Sequence, residues 1–221
     1  APPKISLIFN GIDLSKFSPY RENYSKEKKK LFGFEGYQLV GIIARLSDVK
    51  GHCVLIQAMA KVIQKNPHTK LLIVGEGKEE QNLRKLVAQL NRNDCIYFYP
   101  VMNKTAEFLE ILDVFVMPSL QEGLGLSVME AQASGVAVVA SAVGGLPSLI
   151  EHGRTGLLVP PQNSEALAQS ILELLNNRRQ AIAMGQAARK FIADNFSAET
   201  MVRKTIGLYE KLQVKKTLQK V

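Results

Sequence analysis

A regular alternation of short apolar runs with segments of helical periodicity constrains the fold of this chain more than any other feature. The apolar runs are rich in Val and Ile and nearly free of charge, and they lie at 38–46, 71–75, 95–100, 113–119, 136–141 and 156–160. Short strands that are apolar on both faces are typical of a parallel sheet covered by helices on both sides. Strict β–α alternation adds right-handed crossovers. We therefore predict an α/β fold with a doubly wound, Rossmann-like parallel sheet.

Helical patterns fill the intervals between these runs. They lie at 51–65, 79–91, 104–111, 126–134, in a short stretch after 141, at 164–176, at 178–194 and from about 197 onward. Ser197 and Thr200 fit an N-terminal cap of the last helix. Residues 35–196 are thus predicted to form one folded domain. A basic lead-in and linker segment at 1–34 would precede it, and a basic helix at 197–221 would follow it.

The net charge of +8 is concentrated at the two ends of the chain. Segment 1–34 carries seven Lys or Arg against three Asp or Glu, segment 197–221 carries six against two, and the segment between them carries fifteen of each. A nucleic-acid-binding domain spreads its basic side chains over a folded face, so we predict no nucleic-acid partner. The basic ends are predicted to be solvated, and contact with an anionic membrane surface is the open alternative.

Two cysteines, Cys53 and Cys95, lack the CxxC or Cys/His spacing of a metal site. Disulfides are rare in the cytosol, and we expect both cysteines to be reduced thiols in the core of a cytoplasmic protein. A peripheral position at the inner membrane face, through the basic ends, stays open.

Polar residues follow several strand ends, which is where an open α/β sheet binds its ligands. Arg45 and Lys50 follow the first run and supply positive charge, and Gly51 lets the backbone approach closely at the start of a helix. Gly75 follows the second run. Amides at a helix N-terminus favour an anion by about 0.3–1 kcal/mol. Two cations beside helix N-termini suit a diphosphate.

Two glutamates bracket the glycine turn after the fourth run, in QEGLGLSVMEAQASG at 121–135. Glu122 lies in the loop, and Glu130 lies one turn into the next helix among apolar neighbours, where a charge needs a ligand or a partner. Carboxylates accept hydrogen bonds from hydroxyls, so each glutamate can hold a vicinal diol. The rim therefore suits a ligand with a charged centre and a polyol at each end, such as a sugar nucleotide.

Several common motifs are absent from the sequence. GxxxxGK[ST], GxGxxG after the first strand, GxSxG and HExxH do not occur. Their absence disfavours a P-loop, a dinucleotide fingerprint, a serine-hydrolase elbow and a zinc protease helix.

The ordered segments ARLSDVKG, LLIVGEG, DVFVMPSLQEGLGLSVMEAQASGVAVVAS, GGLPSLI and GRTGLLVPP carry a family resemblance. With them, the chain resembles the donor-binding C-terminal domain of a retaining glycosyltransferase of the GT-B fold, in glycosyltransferase family 4. The resemblance runs from FNGID at 9–13 to about Tyr209. It implies one Rossmann-like half of a GT-B enzyme that transfers a sugar from a nucleoside diphosphate sugar, in polysaccharide or glycolipid synthesis.

The resemblance implies roles for the phosphate and sugar side of the rim. Arg45 and Lys50 would bind the donor diphosphate, and Glu122 would hold the transferred sugar. The amides of Gly123, Leu124, Gly125 and Leu126 would contact sugar and phosphate. Arginine and lysine would stabilise the leaving diphosphate electrostatically, and transfer with retention would proceed on one face of the sugar.

The resemblance also implies the nucleoside side of the rim. Glu130 would hold the ribose, and the backbone at Val101 and Met102, with Gly75 nearby, would border the base. The family needs no divalent metal, so we expect no metal site and no cofactor beyond the donor substrate.

Two departures from the family pattern stand out. A glutamate often follows the GGxP turn, and here the position is Ser148. The N-terminal acceptor domain is also missing, so the helix at 197–221 would have no domain to cross back to, and the isolated chain is expected to be inactive. A GT-B epimerase or phosphorylase, and a non-catalytic sensing or interaction module, are the alternatives.

Overall fold

A six-stranded parallel sheet forms the centre of the protein, which is described from a computed structural model covering residues 5–19, 22–101 and 104–218, with side chains to 213. The strands are β1 Gln38–Ile43, β2 Thr69–Val74, β3 Ile96–Tyr99, β4 Val114–Met117, β5 Ala137–Ser141 and β6 Leu157–Val159. Their order across the sheet is β3-β2-β1-β4-β5-β6. The predicted doubly wound α/β fold is confirmed, and each strand lies within two residues of the predicted start.

Helices cover both faces of this sheet. They are α1 Glu22–Leu31, α2 His52–Lys65, α3 Glu80–Gln89, α4 Thr105–Leu109, α5 Leu126–Ala133, α6 Leu146–Leu149, α7 Ser164–Asn176, α8 Arg178–Phe196 and α9 Ala198–Leu218. Short 3-10 helices lie at Leu14–Lys16 and Asp48–Lys50. The predicted cap of α9 is present, because the Thr200 amide donates to Ser197 Oγ at 3.2 Å.

The core consists of two apolar layers, one on each side of the sheet. Side chains of α2, α3 and α7 form one layer, including Leu55, Met59 and Ile171. Side chains of α4, α5 and α8 form the other, including Met129 and Ile192. Both layers pack against strand residues that alternate in direction, so the strands are buried on both faces.

The basic segment near the N-terminus differs from its expected solvated state. Residues 22–31 form α1, and two of its lysines form ion pairs, the partly buried Lys28 with Glu110 and the buried Lys29 with Asp113. The Asp113 carboxylate lies 2.5 Å from Lys29 Nζ and accepts the Leu39 amide at 2.7 Å. These pairs fix α1 to the start of β1 and β4. The expectation of two core thiols is also wrong for Cys53, which is exposed, whereas Cys95 is buried.

The strand order reverses between β1 and β4, and this reversal positions the candidate site. β1 pairs with β2 on one side and with β4 on the other, with Val40 opposite Val114. The connections after β1 and β4 therefore lead to helices on opposite faces of the sheet, α2 and α5, and a crevice lies at its carboxyl edge. Such a switch point is where doubly wound sheets bind ligands.

Candidate functional site

A cleft of about 440 Å³ lies at the switch point. It is lined by residues of the loops after β1, β4 and β5: Arg45, Val49, Lys50, Leu120, Gln121, Glu122, Gly123 and Gly144. We call it the rim cleft. The structure thus brings the predicted Arg45, Lys50, Glu122 and Gly123 into one site.

Backbone contacts hold the loops after β1 and β4 together. The amide of Leu120 donates to the carbonyl of Val49 at 2.7 Å. Gly51 has a φ of +70°, and a Cβ at this position would overlap the carbonyl oxygen of Pro118. Only glycine meets both the left-handed backbone and the close approach without strain. The close approach of Gly51 to Pro118 thereby holds the preceding residue, Lys50, against the loop after β4.

The turn after β5 supports the same loop from the other side. The amide of Gly145 donates to the carbonyl of Glu122 at 3.2 Å. Gly144 has a φ of +53°, and a Cβ there would overlap this same carbonyl oxygen. The loop that carries Glu122 is therefore held by the β5 turn at Glu122 itself and by the Val49 carbonyl at Leu120 and Gln121, so the rim cleft has a preorganised wall.

The carboxylate of Glu122 is engaged on one oxygen. Lys50 Nζ lies 2.6 Å from Glu122 Oε2, and Ser119 Oγ donates to the same oxygen at 3.2 Å. The side chains of Lys50 and Glu122 are 19% and 11% exposed, so their ion pair is largely shielded from water. Lys50, predicted to bind the diphosphate, and Glu122, predicted to hold the sugar, are therefore direct partners in this structure.

A run of free amides extends from Gly123, at the lining of the cleft, into the first turn of α5. Among the described residues, the backbone N–H groups from Gly123 to Ser127 donate no hydrogen bond, and Gly125 gives α5 no side-chain cap. A Cβ at Gly123 would meet open space. Leu126, the first residue of α5, is half exposed. Free amides at a helix N-terminus are a ready anion site.

Glu130 lies one turn into α5 and is partly buried. Its neighbours Val128, Met129 and Ala131 are fully buried. Within the part of the chain that the structure describes, no hydrogen bond or ion pair reaches its carboxylate, and burial raises the pKa of that carboxyl. A desolvated carboxylate without a partner carries an energetic cost that a hydrogen-bond donor from a ligand would relieve.

The remaining predicted residues lie around the cleft in less specific settings. Arg45 is exposed at the lining, which leaves its guanidinium accessible. Gly75 follows β2, and its backbone packs against the carbonyl of Ala44. Val101 is 64% exposed beyond β3. Met102 lies outside the described residues.

Two residues at the site received no role from the sequence. His52, the first residue of α2, is 2% exposed, and neither ring nitrogen has a hydrogen bond among the described residues. Burial, and then the nearby charge of Lys50, lower the pKa of His52 to about 4. Ser119 is fully buried at the end of β4. Its position three residues before Glu122 was the only signal available.

The described ranges contain neither a cluster of metal-ligating side chains nor a helix that could span a membrane. No group of three or more His, Cys, Asp or Glu side chains is placed there to hold a metal ion. The described helices include none that is long and apolar enough to cross a membrane. Independence from metal remains a prediction.

The fold and the cleft define a class, a doubly wound α/β domain with cations, carboxylates and free amides at its switch point. Comparison with known families identifies it further, because residues 23–191 match the family Glycosyl transferases group 1. The chain belongs to this family of glycosyltransferases.

Relatives and solved structures show how much of a family member the chain represents. The GDP-mannose-dependent monoacylated alpha-(1-6)-phosphatidylinositol monomannoside mannosyltransferase of Corynebacterium glutamicum is 33% identical over 207 residues, which are 90% of this chain and 54% of the relative. Sucrose-phosphate synthase from Thermosynechococcus elongatus superposes with a TM-score of 0.85 at 30% identity, covering 95% of this chain and 53% of that one. The chain spans about half the length of the curated relatives it matches.

A third structure identifies which half this is. The C-terminal domain of a glycosyl transferase group 1 family protein from Francisella tularensis superposes with a TM-score of 0.77 at 26% identity, covering 85% of this chain and 99% of that one. The predicted resemblance to one half of a GT-B glycosyltransferase is therefore confirmed.

Proposed function

We propose that this chain is the donor-binding half of a retaining glycosyltransferase and that the rim cleft holds a nucleoside diphosphate sugar. The single observation that carries the proposal is Glu130. Among the described residues its partly buried carboxylate has no partner, and it lies on the helix whose free N-terminal amides adjoin the rim cleft at Gly123. A ligand that carries both an anion and a diol would satisfy both features, the anion at the free amides and the diol at the Glu130 carboxylate. The GDP-mannose dependence named for one relative supports this class of ligand.

The charged centre of the donor would lie between the cations and the amides. Arg45 and Lys50 would bind the diphosphate, together with the N–H groups from Gly123 to Leu126. In a cleft partly shielded from water, these groups would stabilise the charge that grows on the leaving diphosphate as the bond to the sugar breaks. No side chain needs to carry a metal ion for this role.

The two ends of the donor would be held by the two glutamates. Glu130 would accept hydrogen bonds from the ribose hydroxyls, with Val101, Met102 and Gly75 bordering the base. Glu122 would accept from the transferred sugar. The acceptor would come from the other half of the enzyme, so the isolated chain is expected to bind the donor without turning it over.

Calorimetric titration of the chain with UDP, GDP and ADP, in the absence of metal, tests the proposal. Saturable binding of at least one nucleotide is expected. Glu130→Ala should weaken it by about 10- to 150-fold, because a hydrogen bond to a charged group contributes about 1.5–3 kcal/mol. Glu199→Ala, which removes an exposed glutamate from α9, is the control and should leave the affinity unchanged. Failure of all three nucleotides to bind, or equal binding by the Glu130 variant, would contradict the proposal.

A further inference from the structure

Ser119 is a fully buried hydroxyl at the point where β4 becomes the β4 loop. Its Oγ donates to Glu122 Oε2 at 3.2 Å. The neighbouring Met117 and Pro118 are also buried, so the position of the hydroxyl is set by the central sheet. A donor on a rigid element restricts the group that it contacts more than a donor on a surface loop does.

The same carboxylate oxygen also receives the ammonium group of Lys50, at 2.6 Å. A carboxylate oxygen offers about two lone-pair positions, so Oε2 is fully used. Glu122 Oε1 has no hydrogen bond among the described residues and is not a buried atom. Of the two carboxylate oxygens of Glu122, Oε1 is therefore the one open to a ligand.

We propose that Ser119 is a positioning residue of the donor site. It acts with Lys50 to fix the rotation of the Glu122 carboxylate, so that Oε1 accepts a hydrogen bond from a hydroxyl of the transferred sugar. The last torsion of a glutamate side chain is broad, and one bond from a flexible lysine leaves it loosely defined. The second bond, from the rigid serine, sets the plane. This inference rests on the proposed function.

The role predicts a loss that is selective for the sugar. Ser119→Ala should weaken the binding of UDP-glucose or GDP-mannose by about three- to tenfold, less than the full loss of a hydrogen bond to a charged group, because Lys50 still holds the Glu122 carboxylate. The affinity for UDP or GDP should stay within about twofold, because the phosphates contact Lys50 and the amides and not the serine. A hydroxyl that merely stabilised the fold would change the affinity for a sugar nucleotide and for the matching nucleoside diphosphate by the same factor.

Two further variants separate positioning from other effects. Ser134→Ala is the matched control, since Ser134 is equally buried but its Oγ donates only to the carbonyl of Glu130, at the far end of α5. In a Glu122→Ala background, Ser119→Ala should have no further effect on sugar-nucleotide binding, because the two residues act through one contact. Should Ser119→Ala unfold, Ser119→Cys supplies a weaker donor of similar size. This variant should also weaken the binding of the sugar nucleotide more than that of the nucleoside diphosphate.

The outcomes distinguish this inference from the proposed function. If the wild-type chain binds neither pair of ligands, the proposed function fails. If it binds them, and Ser119→Ala weakens both members equally, weakens neither, or adds its full effect to that of Glu122→Ala, then the positioning role of Ser119 is overturned while the donor site stands.

Discussion

His52 links the candidate site to the stability of the fold. Its imidazole is buried and has no hydrogen bond to any residue that the structure describes. Its pKa is lowered from 6.5 to about 4, first by burial and second by Lys50. Above about pH 6.5 the ring is neutral in both the folded and the unfolded chain. Below that pH the unfolded chain takes up the proton first, so stability falls as the pH drops toward 4.

His52→Leu should reduce this loss of stability in acid. The wild-type free energy of unfolding should fall by up to about 3 kcal/mol between pH 7 and pH 4 from this residue alone, and urea unfolding at the two pH values measures the difference. Glu130 partly offsets this loss of stability in acid, because a raised pKa in the folded state means that protonation of its carboxyl favours folding. His68→Ala, at an exposed histidine, should keep the wild-type dependence. If the free energy of unfolding of His52→Leu depended on pH as strongly as that of the wild type, the claim that His52 is buried as a neutral imidazole would be contradicted.

At the residue scale, the sequence predicted which side chains meet but not how they pair. Arg45, Lys50 and Glu122, which the structure brings into one cleft, could be placed at one edge because parallel strands end together. The Lys50–Glu122 ion pair joins residues 72 positions apart and depends on side-chain rotamers. No sequence pattern encodes rotamers. Ser119 received no role for the same reason, since a serine at the end of a strand is ordinary until its partner is known.

At the scale of elements, the turn between β5 and α6 positions the loop that carries Glu122. Gly144→Ala should displace this loop, because the added Cβ meets the Glu122 carbonyl in a backbone conformation that alanine adopts with strain. We expect at least a tenfold loss of affinity for the donor nucleotide, measured by calorimetry, and a stability loss of about 1–3 kcal/mol.

Gly153→Ala separates strain from contact in this experiment. Gly153 also has a positive φ, of +80°, but a Cβ there would meet no atom within 4 Å. The Gly153→Ala variant should therefore lose stability without losing affinity for the donor nucleotide. Equal affinities in the wild type and Gly144→Ala would show that the turn does not position the Glu122 loop.

Most elements were predictable because their apolar periodicity is strong, and the exception is instructive. The α1 segment ENYSKEKKKL has few apolar side chains and a lysine run, which is typical of a solvated lead-in. It folds onto the domain through the ion pairs of Lys28 and Lys29 with acidic residues more than 80 positions away. Buried charge pairs leave no periodic signal, so local patterns could not reveal them.

At the scale of the whole molecule, the chain corresponds to one half of its relatives. Exposed apolar side chains lie on one stripe of α9, at Val202, Ile206 and Tyr209, spaced four and three residues apart. The prediction that this helix crosses to an acceptor domain stays a prediction. The fold class was predictable because β–α alternation indicates a doubly wound parallel sheet, whereas the order of the strands came from the structure. The acceptor can be inferred only from the other half of the enzyme.

Backbone amide NMR of the isotope-labelled chain, titrated with UDP-glucose and GDP-mannose, tests the central claim most directly. One of the two should saturate, with the largest shifts at the free amides of Gly123 to Ser127 and in the loop from Arg45 to Gly51. Amides at the opposite edge of the sheet, around Gln38 and Asp113, should stay in place. Saturation with shifts centred away from the rim cleft, or no shifts at millimolar ligand, would contradict the claim that this cleft holds a nucleoside diphosphate sugar.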